Sequence, residues 1–168
     1  MKRNLTGIIG LLAFQVFSTA GAHIIHVPAD AATIQLGIGA AVNGDTVLVE
    51  PGVYRENINF RGKNIVLTSR YFESDDSSFI AATVIDGSAP AHPDTGSVVV
   101  ITGHEDSTAV LQGFTIRGGS GTKWTDEHGS GVYREGGGIL IASSSPTIRR
   151  NAIIGNAVVT GGGVVSAG

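Results

Sequence analysis

A glycine-led segment occurs twice in the last third of this 168-residue chain, and the spacing of its two copies limits the folds available to it. Residues 136–141 read Gly-Gly-Gly-Ile-Leu-Ile, and residues 161–165 read Gly-Gly-Gly-Val-Val, 25 residues later. Two further apolar pieces, each closed by a turn, lie between the copies, so one period holds three short strands. This is the content of one coil of a parallel β-solenoid, in which each strand pairs with its equivalents about 4.8 Å above and below.

The composition favours the same kind of fold. The chain has 25 glycines, about twice the usual share of roughly 7%, whereas charged residues make up only 15% against the usual quarter. Both values favour tight turns and short strands over charged helices. A hydrophobic content of 42% is enough to fill the core of one domain, so we do not expect a disordered chain.

The formal net charge of −3 and the absence of cysteine exclude several kinds of partner and site. A mildly acidic chain has no basic surface for nucleic acid or for an anionic membrane, so we expect neither as a partner. Without cysteine there is no disulfide framework and no thiolate metal site. Stability must therefore come from packing and backbone hydrogen bonds.

The first 22 residues have the organisation of a secretory signal peptide. Lys2 and Arg3 form a positive start, residues 8–17 are mostly apolar, and residues 20–22 read Ala-Gly-Ala. The apolar run is too short to span a bilayer, which takes roughly 20 helical residues. We therefore expect cleavage after Ala22 and a secreted protein, extracellular or at the cell surface, with the periplasm as the alternative destination.

Residues 23–45 predict a short strand followed by one amphipathic helix. Pro28 ends the strand, and Asp30 or Thr33 can cap a helix whose apolar residues 34, 38 and 41 share one face. Asn43 and Gly44 then supply a left-handed stop. No later segment repeats the helical period, and short apolar strands closed by breakers are expected at 46–49, 57–60, 64–68, 83–85, 98–101 and 114–116.

These features resemble the secreted bacterial right-handed parallel β-helix proteins of the pectin-lyase-like superfamily. The resemblance rests on residues 26–30, on 44–58 (Gly-Asp-Thr-Val-Leu-Val-Glu-Pro-Gly-Val-Tyr-Arg-Glu-Asn-Ile), on Gly-Phe-Thr-Ile at 113–116 and on the glycine repeat. It implies an all-β fold, a right-handed parallel β-helix of about five coils over residues 46–168. The helix within 23–45 would cap its N-terminal end.

The same resemblance predicts the architecture but does not specify the activity, because the superfamily includes lyases, esterases, hydrolases and proteins of no known chemistry. The motifs typical of polygalacturonases (Gly-His-Gly with Asn-Thr-Asp) and of pectin esterases (Asp-Phe-Ile-Phe-Gly) do not occur. The last residues stop just inside a strand. We therefore expect a truncated solenoid whose C-terminal end is covered by further coils or by another chain.

One segment, residues 123–135, concentrates the polar and aromatic groups that a site needs. Trp124 or Tyr133 can stack on a sugar ring, since a polar, aromatic loop on a rigid stack is a common way to build a saccharide site. Asp126, Glu127 and Glu135 supply the oxygen ligands that a hard cation such as calcium prefers. The segment therefore predicts a polysaccharide as ligand and calcium as cofactor.

Three interpretations of this segment remain open. A uronide lyase would use the cation to acidify a C–H bond and Lys123, His128 or Arg134 as the base. A glycosidase would need two separated carboxyl groups, for which Asp126 with Glu135 is the better pair. Alternatively, Asp126, Glu127 and His128 only pin the loop to the coil through Arg134.

Other polar residues are expected to be structural. Asn151 and Asn156 are suited to solenoid corners, where their amides can bond the backbone or an equivalent asparagine. Residues 104–106 (His-Glu-Asp) are predicted to form a solvated turn. The glycine-rich stretch 118–123 lacks the Gly-Lys-Ser/Thr order of a phosphate loop.

The sequence therefore predicts a secreted β-helix that recognises or processes an extracellular polysaccharide, such as a polyuronide, with a lyase-like or hydrolase-like activity. The alternative is a non-catalytic, adhesin-like structural solenoid at the cell surface.

Overall fold

The structure, a computed structural model, describes residues 21–125, 132–158 and 164–167, with the backbone alone at 124, 125, 132 and 164–167. Nearly all of the predicted signal peptide lies outside these residues. In the described part of the chain, no helix is long and apolar enough to cross a membrane.

Strands make up most of the regular structure, as the composition predicts, so the described residues form an all-β fold with short helices. The elements in chain order are β1 (Ile24–Val27), α1 (Ile34–Ala40), β2 (Thr46–Val49), β3 (Gly52–Tyr54), β4 (Ile58–Asn59), β5 (Val66–Ser69), α2 (Tyr71–Ser74), α3 (Ser78–Ala82), β6 (Thr83–Asp86), β7 (Thr95–Gly96), β8 (Val99–Ile101), β9 (Val110–Gln112), β10 (Thr115–Arg117), β11 (Gly121–Thr125), β12 (Val132–Glu135), β13 (Ile139–Ala142), β14 (Thr147–Arg149), β15 (Ala152–Ile153) and β16 (Val164–Ala167).

Three of the four sheets formed by the described residues are parallel, and the chain visits them repeatedly in the same order. Sheet A has the order β1-β2-β5-β9-β14, sheet B β15-β10-β6-β3 and sheet C β16-β13-β8-β4. After β1, the described strands pass from sheet A to sheet B to sheet C four times. Each strand therefore pairs with the strand from the previous or next pass.

The glycine repeat corresponds to one of these pairings. Ile139 of β13 pairs in parallel with Val164 of β16, so the 25-residue period is the register between neighbouring passes. Between them the chain forms β14 and β15, which completes the three strands per period that the sequence predicts.

One hydrophobic core receives side chains from all three parallel sheets. Because alternate residues of a strand face opposite sides, each sheet contributes rows of inward residues in register. In sheet A, such a row contains Val47, Leu67 and Leu111, all fully buried. Ile85 and Ile116 form the corresponding row in sheet B.

Helix α1 covers the first pass, where the sequence predicted a helix. Thr33 is the cap, since its hydroxyl accepts a hydrogen bond from the Leu36 amide at 3.1 Å. Ile34 and Ile38 are buried in the core. Gly44, predicted as a left-handed stop, has φ +91° in the turn that leads to β2.

Two side chains from the first pass hold the ends of α1. The Glu56 carboxylate accepts hydrogen bonds from the Ile34 and Gln35 amides, both at 2.9 Å. The Lys63 ammonium donates to the carbonyls of residues 38, 39 and 41, each at 2.7 Å. A carboxylate at the N-terminus and a cation at the C-terminus also complement the helix dipole.

The expectation of a single helix was wrong, because α2 and α3 follow β5. Each spans only about one turn, too short to produce a helical period in the sequence. Packing holds α3 in place: it contacts β6 and β10, and the Thr115 hydroxyl donates to the Ile80 carbonyl at 2.8 Å.

Sheet D is antiparallel and lies in two segments inserted between strands of the parallel sheets. Its order is β7-β11-β12, with β11 and β12 paired as a hairpin over part of the segment that the sequence analysis treated as a loop. Both strands are rich in β-branched and aromatic residues, which favour strand pairing. Sheet D therefore extends the fold sideways without interrupting the parallel stack.

Candidate functional site

The hairpin β11–β12 brings several of the predicted site residues into direct pairs. Lys123 lies opposite Arg134, Trp124 opposite Tyr133, and Thr122 opposite Glu135. Residues opposite each other in an antiparallel pair share a face, and the face alternates along the strand. Lys123 and Arg134 therefore lie on one face, whereas Glu135 shares the other face with the exposed Tyr133.

Arg134 is engaged in holding the hairpin against the preceding inserted segment. Its guanidinium forms a salt bridge with Asp94 at 2.9 Å and also donates to the carbonyl oxygens of Pro93 and Gly121. The Lys123 amide donates to the Asp94 carbonyl at 2.9 Å. Arg134 thus pins the hairpin through Asp94. The interpretation in which Asp126, Glu127 and His128 pin this segment through Arg134 involves residues outside the described part of the chain.

The predicted cation site falls largely outside the described residues. Asp126, Glu127 and His128 are not among them, and only the backbone of Trp124 is described. Glu135 is described and half-buried. Across residues 21–125, 132–158 and 164–167, no three or more His, Asp or Glu side chains converge as metal ligands would. The calcium site, its three carboxylates and the catalytic candidates remain predictions.

A groove of about 540 Å³ lies over the outward side of sheet C. Asn59 of β4 and Val100 of β8, which pair in register, form its floor. We call this cavity the sheet C groove. Its walls come from the first pass, from the inserted segment before β8 and from β11, through Gln35, Arg55, Glu56, Asn57, Arg61, Ala89, Ala91, Thr95, Ser97 and Thr122.

Several polar side chains of the groove are committed to the fold. The Gln35 amide donates to the Asn59 carbonyl at 3.1 Å and accepts from the Asn59 amide at 2.7 Å, as a neighbouring strand would. The Asn57 amide donates to the Ser97 carbonyl at 2.9 Å. These bonds fix the floor and the near wall of the groove.

Arg55 and Arg61 are the available charged groups of the groove. Both side chains are exposed, and neither forms a hydrogen bond or salt bridge within the described residues. The one carboxylate in the lining, Glu56, is engaged by the amides of α1. The groove therefore presents two guanidinium groups that no described residue engages, in a chain whose net charge is −3.

The sequence analysis missed this groove, and no local signal marks it. Arg55 and Arg61 lie on either side of the two-residue strand β4, in a stretch that looks like turn and strand alone. Their partners in the lining are contributed by positions 35, 89–95 and 122, which lie far apart in sequence and are brought together by helix α1, the inserted segment before β8 and the antiparallel sheet D. The hairpin segment, in contrast, was recognised, and its Thr122 does line the groove.

The predicted turn at 104–106 has a different role from the one expected. Glu105 is only 1% exposed, and its carboxylate accepts hydrogen bonds from the Gly62 amide at 2.8 Å and the Gly103 amide at 2.7 Å. The Ser144 hydroxyl, from the next pass, donates to it at 2.8 Å. Glu105 is thus a structural link between three passes, whereas the sequence predicted a solvated turn.

Asn151 and Asn156 have the corner role that their residue type predicts. Asn151 accepts from the Phe114 amide at 3.0 Å and donates to the Leu111 carbonyl at 2.9 Å. Asn156 repeats this pattern with the Gly119 amide and the Ile116 carbonyl. Each asparagine therefore bonds the backbone of the previous pass.

Comparison with known proteins yields no relative on which to base an assignment. No protein-family model matches the chain, and no match was found among the curated proteins or among the solved structures.

Proposed function

We propose that the chain is an exported right-handed parallel β-helix of the pectin-lyase-like kind and that its sheet C groove binds an acidic extracellular polysaccharide. The binding part of the proposal rests on one observation: Arg55 and Arg61 lie in a groove of about 540 Å³, and neither side chain has a partner among the described residues.

The β-helix is supported by the order in which the strands enter the sheets. Four consecutive passes through sheets A, B and C, each paired in parallel with its neighbours, describe a chain that winds in one direction. The connections between parallel strands are right-handed in about 98% of known cases, which supports the handedness. The proposed helix has four turns in place of about five, because α2, α3 and sheet D consume residues outside the coils.

The character of the groove supports an anionic, extended ligand. Its volume lies within the roughly 300–1,000 Å³ typical of ligand sites. A guanidinium offers a planar pair of donors that matches a carboxylate, so Arg55 and Arg61 suit the acid groups of a polyuronide. Between them, Asn59 Nδ2 forms no hydrogen bond with any described atom and can donate to a hydroxyl group.

The hairpin next to the groove gives the predicted loop residues a place in this proposal. The exposed Tyr133, and Trp124 opposite it, would stack on sugar rings, and Asp126, Glu127 and Glu135 would bind calcium. Lys123 and His128 remain the candidates for a catalytic base. Arg134 is better explained as a positioning residue, because Asp94 already neutralises it.

A non-catalytic structural solenoid is the second candidate function. The observation in its favour is the engagement of Arg134 by Asp94 and Pro93, which makes the hairpin a fixed part of the fold. In that case the groove would bind a polymer without cleaving it, or would bind nothing.

Affinity electrophoresis tests the binding proposal. Gels containing polygalacturonate or alginate should retard the protein, whereas neutral dextran should not. The double variant Arg55→Gln/Arg61→Gln should weaken retardation by about tenfold or more, since each lost charge-assisted contact contributes about 1.5–3 kcal/mol. The matched control is Arg70→Gln/Arg117→Gln, which also removes two positive charges but from positions outside the groove. Equal retardation of all three proteins, or none of any, would refute the proposal.

A second assay separates catalysis from binding. The protein is incubated with polygalacturonate or alginate, with calcium or with chelator, and unsaturated uronide is followed by ultraviolet absorbance. Calcium-dependent product that is lost in Lys123→Met or His128→Asn would support a lyase. Retarded migration in the gels without product would support the non-catalytic alternative.

A further inference from the structure

A second cleft lies on the outward side of sheet A and shares no residue with the sheet C groove. It has a volume of about 230 Å³ and is lined by Tyr71, Phe72, Asp75, Gln112, Arg149 and Arg150. We call it the α2 cleft, because the short helix α2 forms one wall. None of these six residues was predicted from the sequence to form a site; Asp75 was predicted only to serve a turn.

The floor of the α2 cleft is an outward row of sheet A. Thr68, Gln112 and Arg149 pair in register on three successive strands. Gln112 is only 2% exposed, and its Oε1 accepts a hydrogen bond from Arg149 Nε at 2.8 Å. This bond orients the guanidinium of Arg149 along the cleft floor.

The other end of the Gln112 amide faces the cleft. Its Nε2 donates no hydrogen bond to any described atom. Within the described residues, the one fully buried side-chain polar atom without a partner is Thr83 Oγ1, so Gln112 Nε2 is accessible from the cleft. A ligand acceptor can replace the water that solvates such a donor. The α2 cleft therefore offers one amide donor in its floor, as well as the remaining nitrogens of Arg149.

Two aromatic residues, Tyr71 and Phe72, also line the cleft. Gly113 has φ +85°, and a Cβ there would lie 3.0 Å from Tyr71 Cβ, so the glycine lets Tyr71 pack closely on the strand. Phe72 is 54% exposed. The neighbouring Asp75 carboxylate raises the pKa of the Tyr71 hydroxyl. The lining of the cleft thus combines aromatic rings with two cations.

We propose that the α2 cleft binds a ring-bearing carboxylate. Its carboxylate group would accept from Arg149, Arg150 and the Gln112 amide, and its ring would lie against Phe72. The two arginines and the one carboxylate, Asp75, leave the lining with a formal charge of +1, which suits a monoanion. A planar carboxylate fits guanidinium geometry, and aromatic side chains contribute apolar contact area to a ring.

The ligand could be a free small acid or one acid unit of a longer polymer. Both carry a ring and a carboxylate, so the first experiment uses the smallest probes that separate these two features. Benzoate has both features, benzamide has the ring without the charge, and acetate has the charge without the ring. Nuclear magnetic resonance of the ¹⁵N-labelled full chain then reports both affinity and location.

Benzoate should shift the amide signals of residues 71–75, 112, 149 and 150 and leave those of 55–61 unchanged. Benzamide and acetate should each bind at least about tenfold more weakly, because each lacks one of the two contacts. Galacturonate, compared with polygalacturonate, then distinguishes a free acid from a polymer unit: the site serves free acids if only the monomer shifts these signals.

Two variants test the residues, and one controls for the loss of charge. Arg150→Gln removes a cation, and Gln112→Glu places a negative charge in the floor while keeping an acceptor for Arg149; both should abolish the benzoate shifts while the rest of the spectrum is retained. Arg117→Gln should bind benzoate normally.

Equal binding of benzoate and benzamide, shifts outside the cleft, or unchanged binding by both variants would overturn the proposal. Because the sheet C groove uses Arg55 and Arg61, failure here leaves the polysaccharide test unaffected.

Discussion

At the scale of single residues, Asp45 shows how a buried carboxylate closes the N-terminal end of the stack. It accepts hydrogen bonds from the Val42 amide at 2.8 Å and the His23 amide at 2.9 Å. These backbone donors, above all that of Val42, lower the pKa of Asp45. The charged form is therefore favoured in the folded state relative to the unfolded chain.

This shift predicts a specific loss of stability in acid. A carboxyl group whose pKa is lower in the folded protein than in the unfolded chain stabilises the folded state at any pH above the unfolded-chain pKa, which is about 3.9 for aspartate. This stabilisation is lost as the pH falls through the lower pKa of the folded state. Asp45→Asn should lower the unfolding free energy by about 1.5–3 kcal/mol at neutral pH. Denaturant titrations of both proteins between neutral and acidic pH should show this difference shrinking in acid; a difference independent of pH would contradict the assignment.

Residue type predicted some of the polar links and missed others, for a physical reason. Asn151 and Asn156 were predicted as corner residues because asparagine amides bond backbone groups in turns. Glu105 was not, because a glutamate is almost always solvated unless partners surround it. Its partners Gly62 and Ser144 come from other passes, so no local pattern could announce them.

At the scale of elements, the strands that end at strong breakers were predicted, whereas those with weak apolar patterns were not. The predicted strand at 83–85 corresponds to β6. β3 begins at Gly52, which the sequence analysis treated as a breaker, and β9 holds only three residues, one of them Gln112. Pairing with neighbouring strands stabilises both segments where their own sequence does not.

A candidate site, too, could be predicted only where its residues form a local pattern in the sequence. The hairpin segment was recognised because its charged and aromatic residues are adjacent in sequence. The sheet C groove and the α2 cleft each combine residues from several elements, and their key arginines lie beside strands with no distinctive neighbours. Local composition can reveal a site on one hairpin, but it cannot reveal a surface built by stacking.

Two glycines in different elements should respond oppositely to alanine. Gly119 follows β10, and a Cβ there would overlap the carbonyl of Gly137, which belongs to the glycine repeat. Gly39 lies in α1, where a Cβ would meet nothing within 4 Å. Gly119→Ala should destabilise the protein by about 1–3 kcal/mol through overpacking, whereas Gly39→Ala should stabilise it by about 0.5–1 kcal/mol.

Thermal and denaturant unfolding of the two variants and the parent chain would measure these changes. The Gly39→Ala variant is the matched control, since it makes the same chemical change in open space. Destabilisation of both variants to the same extent would show that the close contact between Gly119 and Gly137 is not present.

At the scale of the whole molecule, the account rests on strands that stack in register however far apart they lie in sequence. Thr46, Val66, Val110 and Thr147 form one half-buried outward row of sheet A. Neighbours in this row are 20, 44 and 37 residues apart along the chain, because the inserted segments differ in length. A stack predicts that all three neighbouring pairs are separated by about 4.8 Å.

The most direct test is dipolar broadening between nitroxide spin labels on pairs of introduced cysteines, which is practical because the chain contains none of its own. The pairs at 46/66, 66/110 and 110/147 should give equally strong broadening, and the pair at 46/147, three strand spacings or about 14 Å apart, should give clearly less. Broadening that is missing from any neighbouring pair, or that follows sequence separation, would contradict the parallel stack on which both binding surfaces depend.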